Sequence, residues 1–161
     1  MAHKRKEIRA HVVNLLINGN TLAGTRVYPS RVRPGIRMIF PMIAVYTPKE
    51  DVQVIGVNPH QYTRKLELVI ECISEDLNVD VENRLDTLLN EIEALIDTDE
   101  TMLPDISEIE YMGSTVDLFN TGEKDAASGI IRYMITYHST EQIPVNEELA
   151  AVQFQGQWIP S

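Results

Sequence analysis

A single cysteine, Cys72, stands in the 161 residues, which excludes an internal disulfide and a cysteine-based metal site. It falls inside an alternating apolar pattern, so it reads as a small buried hydrophobe and not as a reactive thiol. Aromatic residues make up only 6%. None lies among the first basic residues, Lys4, Arg5, Lys6 and Arg9, which argues against the base-stacking platform of a single-stranded nucleic-acid binder. No apolar run approaches the roughly 20 residues of a bilayer-spanning helix. The basic start His3-Lys4-Arg5-Lys6 has the look of a signal-peptide n-region, but Glu7, Arg9, His11 and Asn14 interrupt the apolar stretch that should follow. The expectation is a chain that stays in the cytosol of the cell that makes it. A phosphate-cradling loop, a nucleophile elbow and a Ser/His/Asp arrangement are all missing. The histidines His3, His11, His60 and His138 are scattered and form no ligand pair beside a carboxylate. His3 and His11 are eight residues apart on one helix and read as a solvated pair. The acids Glu75-Asp76 and Asp97, Asp99, Glu100 flank helix ends, where they read as dipole partners and an exposed turn. No catalytic residue, cofactor site or metal site is expected.

What is present is charge, unevenly placed. Residues 1–37 hold Lys4, Arg5, Lys6, Arg9, Arg26, Arg31, Arg33 and Arg37 against Glu7 alone, a net of +7; the other 124 residues hold 6 basic and 23 acidic side chains, a net of −17. A basic segment before an acidic body suits nucleic-acid contact, yet the acidic surface repels phosphate. Opposite-signed faces on one subunit fit head-to-tail contacts in a ring better.

The spacing predicts a helix over 3–18, with Ile8, Val12, Leu15 and Leu16 at helical steps and Gly19-Asn20 as its stop. Lys4, Arg5 and Lys6 in its first turn oppose the helix dipole and read as solvated or as serving a partner. A short strand at 26–28 leads into 29–41, where three prolines, a glycine and three arginines read as a projecting loop. Met42 to Tyr46 is a continuous apolar run between Pro41 and Pro48, as expected of a buried strand. Residues 51–57 and 64–74 alternate as arms of a long hairpin, with Leu66, Leu68, Ile70 and Cys72 on the core face. A helix over 81–97 carries Val81, Leu85, Leu88, Leu89, Ile92, Leu95 and Ile96 as one stripe, with Asp80 as N-cap. Strands at 107–120 and 129–139 close the domain through a turn at 121–125. The expected fold is α+β, a mainly antiparallel sheet of about five to six strands with two helices on one face. It occupies 1–139, followed by a non-periodic C-terminal extension over 140–161.

Certain stretches resemble a known family. These are Ile8 to Leu16, Thr21 to Arg31, Phe40 to Glu50, Arg64 to Cys72, the acidic amphipathic helix, and the final strand ending Ile135-Thr136-Tyr137. Together they are similar to the tail-terminator proteins of long-tailed phages, the minor tail protein U family, over about residues 5–139. The first two blocks are the more specific. The loop at 33–40 and the extension at 140–161 depart from the pattern. The resemblance implies a virion protein, assembled in the host cytoplasm, that forms a hexameric ring on the tail tube. Such a ring ends tube polymerisation and presents a head-joining surface. The implied partners are further copies of the chain, the major tail tube protein and a head-completion or connector protein. Neither a membrane nor sequence-specific nucleic acid is among them, although DNA passes through the lumen of such a ring. Candidate interface residues are Arg31, Arg33 and Arg37 in the loop, His60 and Tyr62 in the projecting hairpin, and Phe154 and Trp158 in the extension. The rival readings are a head-tail connector or neck completion protein and, more remotely, a small ligand-binding domain.

Overall fold

The computed structural model describes residues 3–30, 39–76, 81–99, 103–120 and 125–140. The elements run α1 (Lys4–Asn18), β1 (Val27–Tyr28), β2 (Met42–Tyr46), β3 (Glu50–Gly56), β4 (Gln61–Asp76), α2 (Val81–Asp97), β5 (Ile106–Asn120) and β6 (Asp125–Thr140). This is the expected α+β order, with a sheet of six strands.

α1 begins where the His3 side chain accepts a hydrogen bond from the Arg5 N–H at 3.2 Å, satisfying one of the orphan donors of the first turn. Its basic first turn is not simply solvated as expected, because Lys4 Nζ lies 2.7 Å from Asp105 and 3.4 Å from Glu7. Those two carboxylates offset the unfavourable dipole placement. The helix stops where Gly19 and Asn20 return their N–H groups to the carbonyls of Leu15 and Ile17. Asn20 takes φ 52° there, a left-handed turn that asparagine tolerates.

The sheet order is β1-β2-β4-β6-β5, with β3 paired to β4. β4 and β6 form a continuous antiparallel ladder from Gln61↔Thr140 to Asp76↔Asp125. On its other edge β4 meets β2 over Val69–Ile73 and β3 over Gln61–Leu66, so the β3–β4 hairpin extends past the end of β2. The expected arms were shorter: β4 starts at Gln61 and β6 spans Asp125–Thr140. The turn at 121–124, Asp80, and the extension beyond Thr140 lie outside the described residues.

Because strand side chains alternate, Leu66, Leu68, Ile70 and Cys72 share one face of β4, and Ile131, Tyr133, Ile135 and Tyr137 share the matching face of β6. All are buried with Ile8, Val12 and Leu16 of α1 and the stripe of α2 in one core. Both helices therefore cover the same face. α2 crosses β6 at Gly129, where a Cβ would stand 3.0 Å from the end of the Leu89 side chain, so a larger residue there would have to push that leucine aside. On the opposite face Ala44, Tyr46 and Val69 form a smaller buried cluster. Cys72 is buried as expected, and desolvation raises its thiol pKa well above the ordinary range, which keeps it unreactive.

Leu88→Ala, at the centre of the α2 stripe, is expected to cost about 2–5 kcal/mol in urea unfolding. Leu118→Ala, on an exposed stretch of β5, should stay within about 0.5 kcal/mol.

Candidate functional site

The β3–β4 hairpin projects beyond the helical layer. Every interior position of β3 is exposed, although four of its residues and neighbours are aliphatic: Val52, Val54, Ile55 and Val57 are 50–75% exposed. Register places Val52 opposite Arg64 and Val54 opposite Tyr62, so Val52, Val54, Tyr62 and Arg64 share the face that, further along β4, carries the core. The strand alternation is thus intact, but no helix covers this end. Ile55 lies in the bulge between Val54 and Gly56.

Along the same face of β4 runs a short stack. The rings of His60 and Tyr62 lie 6.2 Å apart and nearly parallel, and the Arg64 guanidinium sits 5.3 Å from the Tyr62 ring centre, a cation–π geometry. Arg64 is held from two sides: its Nε donates to Ser139 Oγ at 2.7 Å, and its Nη1 donates to Glu50 Oε1 at 3.1 Å. The same Glu50 oxygen accepts the Tyr137 hydroxyl. Glu50 is only 9% exposed, so one carboxylate ties the base of β3 to β4 and β6 and stiffens the hairpin at its root. Nothing in sequence spacing pointed to this triad, since Tyr137 is 87 residues from Glu50.

Of the expected interface residues the structure brings together His60 and Tyr62. Arg31, Arg33, Arg37, Phe154 and Trp158 lie outside the described residues. A second exposed apolar row follows β5, with Tyr111, Met112, Val116 and Leu118 each more than a third exposed. β3 and β5 lie on opposite edges of the sheet. Among the described residues no group of three or more His, Cys, Asp or Glu side chains is placed to hold a metal ion. Two expectations need correction. His11 is not a solvated histidine, because its Nε2 lies 2.6 Å from Asp99 Oδ2. Asp99 is not part of an exposed turn, because its side chain is 5% exposed; the turn after α2 folds back onto α1.

The hydroxyl of Tyr137 titrates above its usual value because of desolvation first and the Glu50 hydrogen bond second. A raised tyrosine pKa means the folded state favours the neutral form. That stability is fully present below the unfolded value of about 10 and is lost as the pH rises above it. Thermal melts from pH 8 to 11 should therefore show a fall above about pH 10, and Tyr137→Phe should flatten part of it. An unchanged slope in the variant would contradict the assignment.

No protein-family model matches the chain, and no curated protein matches it. Among solved structures the chain is similar to one in the "Virion of native gene transfer agent (GTA) particle". The identity is 16%, the TM-score is 0.43, and the alignment covers 80% of this chain and 93% of that one.

Proposed function

We propose that the chain is a structural subunit of a phage-like virion, a tail terminator that closes into a ring on the end of the tail tube. The observation that carries this reading is the pair of unlike apolar edges. One subunit exposes valines on the β3–β4 hairpin at one edge of its sheet and a tyrosine, methionine, valine and leucine row on β5 at the other. Exposed apolar edge strands are normally blunted in proteins that remain single, and contiguous exposed apolar surface marks an interaction site. Two different patches on opposite sides make a heterologous contact, which repeats into a closed ring when the rotation closes. The resemblance of residues 8–16, 21–31, 40–50 and 64–72 to tail terminators supplies the place of such a ring, at the junction of tube and head. Its partners in this reading are further copies of the chain in a hexameric ring, the major tail tube protein on one face and a head-completion protein on the other. DNA passes through the lumen without being read. No step of this function requires a catalytic group.

A neck connector is the alternative reading, and the partner distinguishes the two: tube protein for a terminator, portal-side proteins for a connector. Light scattering across concentration and salt, followed by negative-stain imaging of mixtures with tail tubes, tests the proposal. Rings seated on tube ends are expected; a chain that remains monomeric and ignores tubes would overturn it. Val52→Asp with Val54→Asp should leave the circular dichroism spectrum and melting temperature nearly unchanged, since both side chains are at least half exposed, while reducing ring formation about tenfold or more.

A further inference from the structure

On the helical face of the sheet, β5 is left bare. α2 packs over β4 and β6. Tyr111, Val116 and Leu118 stand opposite Tyr133, Gly129 and Ala127 and so point to the same face, yet each is more than a third exposed. They floor a trough along one flank of α2. Glu93 marks that flank, because its carboxylate accepts the Tyr111 hydroxyl at 3.0 Å. Glu82 and Asp86 lie eleven and seven residues before Glu93 and Asp97 four after it, helical steps that put all four acids on one side. β5 brings no basic residue to the trough. Among the described residues none of the four acids is in a salt bridge. At the Asp97 end the trough deepens against Tyr133, whose buried hydroxyl has no hydrogen-bond partner among the described residues. Like charges four apart on a helix repel, and Asp97 stands at the end of α2 where the dipole disfavours an acid. Within one subunit the row is an electrostatic burden.

The other side of the helical layer carries the opposite charge. Lys4 and His11 of α1 reach Asp105 and Asp99, so their flank faces the end of α2. Lys6 and Arg9 are each two positions from one of these, about 200° around the helix, and belong to the outer flank. Neither is in a salt bridge among the described residues, and Arg9 Nε is buried without a hydrogen-bond partner. Arg26 leads into the edge strand β1, where its guanidinium donates to the carbonyls of Pro41 and Leu22 at 2.9 and 3.4 Å. Carbonyls leave its charge uncompensated.

The two charged sides match in height. The Arg26 carbonyl accepts the Ile43 amide, Ile43 stands opposite Cys72 and Cys72 opposite Gly129, which is where the Leu89 side chain nears the sheet. Arg26 is therefore level with the middle of the acidic row, between Asp86 and Glu93. Lys6 and Arg9 flank His11 in sequence, and His11 meets Asp99 just past the end of α2, level with Asp97. In a head-to-tail ring the β1 edge of one copy meets the β5 edge of the next, and rows of equal height allow that contact by rotation without a step. We propose that the trough between α2 and β5 receives the basic side of a second copy of this chain, with Lys6, Arg9 and Arg26 against Asp86, Glu93 and Asp97. This rests on the ring-forming reading and adds to it the charged contact that sets the direction of the ring.

Charge reversal tests the contact, with association followed by light scattering and by imaging on tube ends. One variant reverses the trough (Asp86→Lys with Asp97→Lys), and the other reverses the opposite side (Lys6→Glu with Arg9→Glu). Each alone should associate about tenfold or more weakly. The chain carrying all four substitutions should regain association, because its two sides are again complementary. Failure of that chain to recover would overturn the proposal, as would a trough variant that associates like the parent. The trough variant should also melt no lower than the parent, since it removes like-charge repulsion and places a cation at the end of α2; a purely structural role for the acids would lower both melting and association. If the lysine variant does not fold, Asp86→Asn with Asp97→Asn takes its place, and undiminished association would again overturn the contact. Trough variants that form rings like the parent but no longer seat on tubes would assign the row to the tube protein and overturn it too. A parent chain that never associates, alone or on tubes, would remove the ring reading as well. Parent rings with indifferent charge variants would remove only this contact.

Discussion

The antiparallel ladder between β4 and β6 decides where every other part of the molecule can go. Its register pairs Leu66 with Ile135, Leu68 with Tyr133 and Ile70 with Ile131, which places the main buried apolar row of the two longest strands on one side of the sheet. A slip of one residue would turn Lys65, Glu67 and Glu71 toward the helices. With the register set, both helices pack on a single face, since that is where their apolar stripes can be buried. The ladder is also longer than the helical layer, and its uncovered end becomes the root of the projecting hairpin. One constraint therefore yields both a buried core and an unburied extension.

Much of this was legible in the residues. The stripe from Val81 to Ile96 gave α2 its bounds, and the five consecutive apolar residues Met42 to Tyr46 gave a strand buried on both faces. The limits of β4 and β6 were harder to read for a physical reason. Gln61-Tyr62-Thr63 and Asp125 to Ser128 carry no large aliphatic alternation, yet Ala126 and Ala127 are buried. The region near Gly129, where α2 comes close, is built from small side chains. Small residues chosen for close packing look like loop in a hydrophobicity pattern. The candidate surfaces were half legible: His60 and Tyr62 were placed on the hairpin, but the exposure of Val52 and Val54 was not evident. An alternating strand states which residues share a face, not whether a helix extends far enough to cover it. The His11–Asp99 contact, across 88 residues, and the Glu50–Arg64–Tyr137 tie arise only from folding.

Rigidity and adhesiveness are assigned to different places on the same hairpin. At its root, a nearly buried carboxylate binds an arginine and a tyrosine, so the arm is held at a fixed angle. Along its length, aliphatic side chains face outward without partners in the subunit. A stiff arm presenting apolar groups loses little conformational entropy on docking, which favours a geometrically defined contact over a loose hydrophobic association. Across the sheet, β5 offers acids at Glu108, Glu110 and Asp117 and no basic residue along its length.

β5 also contains an irregularity between Tyr111 and Gly113, where the register with β6 shifts and Gly113 takes φ +124°. That backbone conformation is open to glycine and rarely to other residues, and a bulge bends and twists the strand that carries it. A long straight edge is a template on which any extended peptide can polymerise. Interrupting it near its middle leaves two short runs, neither of them a good seed for fibres. The exposed edge of β5 is thereby a poorer template for the indiscriminate addition of further strands than its length alone would make it.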